Sequence, residues 1–293
     1  MPKQPIAEAF GFPVDNVSEE ADRYRKLRLC PFNNRVPNCT KDKAQDPLGV
    51  CSIIDGDKLA ITCPVRFRED WLIAEDAARF FFPEEATWTS LAEIRLEDSE
   101  GKSAGNIDLV LVSYDSRGRI LDFGSVEVQG VYISGNIRRP FEEFIANPTD
   151  YRTRGYEGRN YPRADYLSSS RKRLAPQIIY KGGIFHSWNK KIAVALHTAF
   201  FETLPRLREV RKEDAEVAWF LYELILDKGS NRYRLTRHRT VYTKFEDALR
   251  QITRTNEGPV ESFMATLQEK LDEKLGESAP DAPTLKDVIE GEP

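Results

Sequence analysis

Gly105-Asn106-Ile107-Asp108-Leu109-Val110-Leu111-Val112 and, a short interval later, Ser125-Val126-Glu127-Val128-Gln129 decide how this chain is read. Each is an aliphatic run that reads as a buried strand carrying one acid a core would not want. Asp115-Ser116-Arg117-Gly118 between them is a turn signal, so the runs should pair as a hairpin. Glu127 and Gln129 are two apart and face the same side of a strand. Neighbouring strands of this kind bring Asp108, Glu127 and Gln129 to one edge of a sheet. That cluster offers hard oxygen ligands, which Mg²⁺ needs to act on a phosphodiester. Two acids on the rim of a sheet would leave the same pattern, so the residues alone keep both readings open.

Working outward, residues 88–96 read as a further strand and carry Glu93, a further ligand or a surface acid. Residues 69–82 place Trp71, Leu72, Ala74, Ala77, Ala78 and Phe81 at helical spacing, and Pro83 stops the helix. Residues 18–29 read as a charged helix, with Ser18-Glu19-Glu20 as cap and first turn. Residues 168–181 read as a helix with Arg171, Lys172 and Arg173 outward and Leu174, Ile178 and Ile179 inward. Residues 192–196 and 215–225 read as strands, 241–252 as a strand entering a helix, and 259–275 as an amphipathic helix. The expected organisation is an N-terminal segment over 1–68, a main domain over 69–276, and an acidic, Pro-containing disordered tail over 277–293.

All four cysteines (Cys30, Cys39, Cys51, Cys63) fall in one N-terminal window. Met1-Pro2-Lys3-Gln4-Pro5 leads into no apolar signal core, and no apolar run is long enough to span a bilayer. A cytoplasmic location follows, and there clustered thiols favour a metal site over disulfides. Four thiolates suit tetrahedral zinc or iron. The spacing lacks the familiar CxxC pairs, so two disulfides or four buried thiols stay open.

The net charge of −4 conceals a gradient. Residues 1–137 carry about −7, residues 138–254 about +10 and residues 255–293 about −7. A basic middle can face a phosphate backbone, and it can equally be a solvated surface. Arg152, Arg154, Arg159 and Arg163, among Tyr151, Tyr156 and Tyr161, read as a loop able to clamp phosphates. Arg232, Arg234, Arg237 and Arg239 alternate with other residues as on a strand that presents arginines to guanine edges. No Walker loop or dinucleotide fingerprint is present, and His186, His197 and His238 are scattered with no nucleophile beside them.

Glu93, Asp108 and Glu127-Val128-Gln129, continued by Val131-Tyr132-Ile133-Ser134-Gly135-Asn136 and preceded by the four cysteines, resemble the NotI-type family of type II restriction endonucleases, within the PD-(D/E)xK nuclease superfamily. The resemblance spans roughly residues 25–145. It implies an α/β fold, a restriction-endonuclease-like mixed central sheet flanked by helices, with an N-terminal four-cysteine metal module. It also implies a homodimer that cuts both strands of double-stranded DNA at a palindromic, GC-rich site with Mg²⁺. By the same resemblance Asp108, Glu127 and Gln129 are the active-site residues, Glu93 an auxiliary acid, and the cysteines the ligands of one structural iron or zinc. Most nucleases of this architecture have lysine where Gln129 stands, and this family shares the departure. A site-specific cutter also needs a cognate DNA methyltransferase to protect its host. Two rivals remain on the residues alone: a non-catalytic, metal-stabilised DNA-binding protein, and a repair or mobile-element nuclease of the same fold.

Overall fold

The computed structural model describes residues 4–276 apart from 34, 35, 44 and 256, and leaves out the side chains of Lys43 and Glu93. The tail expected to be disordered, 277–293, lies outside the described residues.

The chain begins with β1 (Ile6–Ala9) and β2 (Phe12–Pro13), which sequence analysis did not assign. The turn between them uses two left-handed residues, Phe10 (φ 52°) and Gly11 (φ 81°). A side chain at Gly11 would meet the Pro31 ring at 2.3 Å, so the turn needs glycine there. Helix α1 (Glu19–Lys26) follows, capped as expected: the Ala21 N–H donates to Ser18 Oγ at 3.2 Å. A small hairpin of β3 (Asp42–Lys43) and β4 (Asp46–Pro47) leads to β5 (Val50–Asp55) and β6 (Lys58–Ile61). These strands form a four-stranded sheet in the order β2-β1-β5-β6. Within the cysteine window Cys51 lies on β5, and Cys63 follows the end of β6.

A 3₁₀ segment, Pro64–Trp71, enters α2 (Leu72–Phe81). Asp70 (φ 50°) and Trp71 (φ 56°) are left-handed, so the helix expected from residue 69 starts at Leu72. Next come β7 (Trp88–Glu97), β8 (Ser103–Tyr114) and β9 (Ile120–Gln129), a meander joined by turns. Short β10 (Tyr132–Ser134) and β11 (Arg163–Asp165) pair with each other, and α3 (Arg138–Ala146) and α4 (Pro148–Arg154) lie between them in sequence. Residues 166–187 are helical throughout, with two π-wound stretches, Ser170–Leu174 and Ile178–Gly182. The chain then returns as β12 (Ile192–His197), β13 (Val217–Asp227) and β14 (Arg232–Thr243).

The central sheet has the order β14-β13-β12-β9-β8-β7. It is mixed: β9-β12 and β12-β13 are parallel, the other pairs antiparallel. All six residues of β12 are buried, as a strand with parallel neighbours on both sides requires. One face packs Leu109, Leu111, Val126 and Ala195 against Ile73, Ala77 and Phe81 of α2. The other packs Val110, Val112, Val194 and Leu196 against Leu174, Ile178 and Phe185 of the 166–187 run. The mixed sheet flanked by helices is thus present as expected.

A third cluster joins Ile6, Phe10, Val50 and Ile53 to Phe141, Phe144, Tyr151 and Tyr156. Tyr151 and Tyr156 are therefore core residues of α3, α4 and the N-terminal sheet, and do not interleave with arginines on an open loop. Residues Met1–Thr253 form one compact unit and Arg254–Pro293 a second. In the second, the expected amphipathic helix is Val260–Gly276, and its apolar stripe, including Phe263, Leu267 and Leu271, is exposed.

Candidate active site

The β8–β9 ladder ends with Leu109 opposite Val126, so Asp108 and Glu127 are the next positions along the two strands. There Asp108 turns its carboxylate across the gap: Oδ2 accepts the Val128 N–H at 2.9 Å. This bond satisfies a main-chain donor just past the end of the ladder. On its other edge β9 stays paired with β12, Val194 opposite Glu127 and Leu196 opposite Gln129. The backbone under Glu127 and Gln129 is thereby held in the middle of the sheet. Both residues are buried at 2% exposure, while Asp108 is half-buried.

Two residues that sequence analysis missed complete the cluster. Lys181 Nζ donates to Glu127 Oε2 at 2.8 Å, and Gln129 Nε2 donates to Gln177 Oε1. Both partners come from the 166–187 run. Strand residues two apart are separated by about 6.7 Å, and helical residues four apart by about 6 Å, so the two pairs match in register. Burial and, after it, the Asp108 charge raise the Glu127 carboxyl against the opposing pull of Lys181, leaving it pushed up to about 8. Glu127 Oε1 is buried, and among the described residues no N–H or O–H donor reaches it. A buried carboxylate oxygen without a donor, beside a second carboxylate, is the arrangement a hard cation satisfies. Mg²⁺ takes only one or two carboxylates, with water and phosphate oxygens completing its shell, so Asp108 and Glu127 suffice as protein ligands.

Outside Asp108 lies a cavity of about 70 Å³ lined by Pro64, Arg68, Trp71, Ile73, Asp108 and Val128. Trp71, which lines it, and the preceding Asp70 are consecutive left-handed residues. Non-glycine residues in that conformation store strain of order 1–3 kcal/mol each, and such strain concentrates at functional sites. Glu93 belongs to β7, two strands from Glu127, and its side chain lies outside the described residues.

The cysteines carry free thiols, with Cys39, Cys51 and Cys63 buried and Cys30 half-buried. Burial pushes the Cys30 thiol up to about 12, with Cys63 and Cys39 adding to the rise. Burial also raises Cys39 and Cys51, and Cys63 adds to each. The four thiols thus share one neighbourhood centred on Cys63. They do not converge on a point: among the described residues no three of His, Cys, Asp or Glu form a group able to hold an ion. The expected closed four-thiolate centre is therefore not seen, and of the two alternatives left open the cysteines are free thiols and not disulfides. Protonated thiols in an apolar setting pack as small hydrophobes and have no reason to converge. The donor chemistry still fits a soft ion, with Lys41 near Cys39 and Arg66 near Cys51 to offset thiolate charge.

The candidate DNA-contacting arginines fall in two places. Arg152 donates to the Val14 carbonyl at 3.2 Å, Arg154 pairs with Asp150 and Glu143, and Arg159 is exposed. Arg232, Arg234, Arg237 and Arg239 all lie on edge strand β14, as their alternation suggested. Each has an acidic neighbour: Glu20 at 4.0 Å, Glu69 at 3.4 Å, Asp76 at 2.5 Å and Glu209 respectively. Of the histidines, buried His197 accepts the Ala199 N–H, and His186 stacks on Phe245. Among the described residues no helix is long and apolar enough to cross a membrane.

The model of the family Restriction endonuclease NotI matches residues 16–235. That span takes in the cysteine window, the acid cluster, Gln177, Lys181 and part of β14. No curated protein matches the chain.

Proposed function

The chain belongs to the NotI restriction endonuclease family, whose members are type II DNA endonucleases, and on that premise we propose that it cuts both strands of a palindromic, GC-rich site with Mg²⁺ held by Asp108 and Glu127. The observation that carries this reading is the pair of carboxylates on adjoining strands, one with a buried oxygen to which no donor among the described residues reaches. Mg²⁺ bound there would supply a water of lowered pKa and positive charge to balance the charge that builds on the phosphate. The protein contributes the rest. Asp108 is braced by the Val128 N–H, and Glu127 by β12 beneath it and Lys181 above it. Gln129 is neutral and engaged with Gln177, so it acts by positioning. Burial of Glu127 and Gln129 keeps bulk water from their side chains, which strengthens every charge interaction at the site.

In this proposal Arg232, Arg234, Arg237 and Arg239 face the duplex from β14, with Arg152, Arg154 and Arg159 as phosphate contacts. Two copies act as a homodimer, one cluster per strand. Glu93 is an auxiliary acid, and Cys30, Cys39, Cys51 and Cys63 hold one structural iron or zinc. The protein works in the cytoplasm alongside a DNA methyltransferase. The test is incubation with large DNA of known sequence in Mg²⁺, beside Asp108→Ala. Discrete fragments from the wild type alone are expected. DNA binding without cleavage in Mg²⁺ or Mn²⁺ would instead make this a non-catalytic binding protein, and an active Asp108→Ala would remove the site assignment.

A further inference from the structure

We propose that Lys181 is a further active-site positioning residue, bringing from the 166–187 helical run the positive charge that neutral Gln129 does not carry. The inference rests on the nuclease reading above and adds a residue to it.

Four observations support it. Lys181 is 54 residues from Glu127 in sequence, yet its ammonium lies 2.8 Å from Glu127 Oε2, with side-chain exposures of only 8% and 3%. A buried ion pair is a poor way to gain stability, since an apolar pair of similar volume is often as stable or more so. Its location against a buried acid whose other oxygen meets no donor among the described residues therefore points to the site and not to the core. Second, the ammonium engages Oε2 and leaves Oε1, so Lys181 decides which oxygen is free to act as a ligand. Third, the helix is seated to deliver it. The Lys181 stem passes Gly105 (φ 102°) of β8, where a Cβ would stand in ordinary contact with Cε at 3.5 Å, and the next residue, Gly182, lies so close to the Phe245 ring that a Cβ there would meet it at 2.8 Å. Ile178–Gly182 is wound as a π-helix, a winding often found at functional sites. Fourth is charge. In the ionised form that a cation requires, Asp108 and Glu127 bring two negative charges side by side, and a phosphodiester adds another. Lys181 is the cation in contact with the buried acid, and Gln129 cannot share that duty.

The experiment compares wild type with Lys181→Met, Lys181→Arg and the double variant Lys181→Met/Gln129→Lys in single-turnover cleavage. Thermal melting and duplex binding in Ca²⁺ serve as readouts independent of turnover. Lys181→Met is expected to bind duplex like wild type and to cleave at least 100-fold more slowly. Lys181→Arg should retain more activity than Lys181→Met. Returning an ammonium at the strand position in the double variant should recover at least tenfold of the loss. Lys181→Met cutting within threefold of wild type, while Asp108→Ala is dead, would overturn this proposal and leave the nuclease reading standing. An active Asp108→Ala would instead remove the nuclease site itself. Should Lys181→Met fail to fold, Gln129→Lys alone decides. With Lys181 in place a second ammonium should weaken Mg²⁺ binding, titrated with the metal alone, and lower the rate. An equal or higher rate would mean the site lacked a charge that Lys181 was supposed to supply.

Discussion

Replacing Arg66 with methionine should cost this protein most of its stability. Arg66 is fully buried and follows Cys63 by three residues. Its Nε donates to Glu8 at 3.2 Å, its Nη1 to Glu69 at 2.7 Å, and its Nη2 to the Tyr233 carbonyl at 2.9 Å. Burial pulls its pKa down, but Glu8 and Glu69 outweigh burial and leave it raised. Methionine fills the space and removes the charge. Glu8 is then left at zero exposure, with the Ser52 hydroxyl donating to it at 2.7 Å but without the Arg66 cation beside it. Stranding one charge of a buried pair costs about 3–5 kcal/mol, and the lost bond to Tyr233 adds about 1 kcal/mol. Glu69 suffers less, because the Leu235 N–H and Arg234 still hold it. Urea unfolding at pH 7 would read the loss directly. Adding Glu8→Gln to Arg66→Met should recover about half of it, since the uncompensated charge has gone. A single-variant cost below about 1 kcal/mol, or a double variant as unstable as the sum of its parts, would refute the reasoning.

Two further perturbations test the site. The Glu127 carboxyl titrates near 8 in the folded protein, chiefly through burial and then Asp108, against about 4.3 in an unfolded chain. The folded state therefore holds the extra proton between these values, and Glu127's contribution to stability is largest below about 4.3 and falls as pH rises to about 8. Mg²⁺ needs the ionised form, so its thermal stabilisation should grow with pH up to about 8. Melting curves with and without Mg²⁺ check this, and the same growth in Glu127→Gln would contradict it. Metal analysis should find about one iron or zinc per chain. Cys63→Ser, at the centre of the four thiols, should lose that metal and several kcal/mol. A metal-free stable protein with four titratable thiols would count against the module.

The acid-bearing hairpin was legible because two aliphatic runs, a strong turn and a period of two all agree there. The helical run 166–187 was partly legible, through Leu174 and Ile178. Lys181 was not. A helical lysine is solvated by default, and only a partner on a strand far away in sequence makes its burial tolerable. Gln177 escaped for the same reason. The strand at Ile6–Ala9 was hidden by Glu8, which looks like a surface residue until Arg66 is placed beside it. Composition showed that the cysteines cluster, but how tightly four thiols draw together depends on loop geometry that spacing does not encode. The arginine alternation at 232–239 did place those residues on a strand, yet it could not reveal that acids from α2 and neighbouring segments already hold them.

The parallel pairing of β9 with β12 also governs how the molecule assembles. The β7-β8-β9 meander joins near neighbours in sequence and can form soon after it leaves the ribosome. The ladder from β9 to β12 must wait until more than 60 further residues have emerged. Closing that loop costs chain entropy before any contact returns it, and such non-local pairing is slow. Until then the nascent meander carries an open apolar edge, the condition under which chains aggregate. Glu127 likewise stays without its lysine until the 166–187 run has emerged, so the proposed site cannot form with the meander alone. Slow expression at low temperature should accordingly favour soluble protein, and the nuclease acquires a full site only after the sheet has closed.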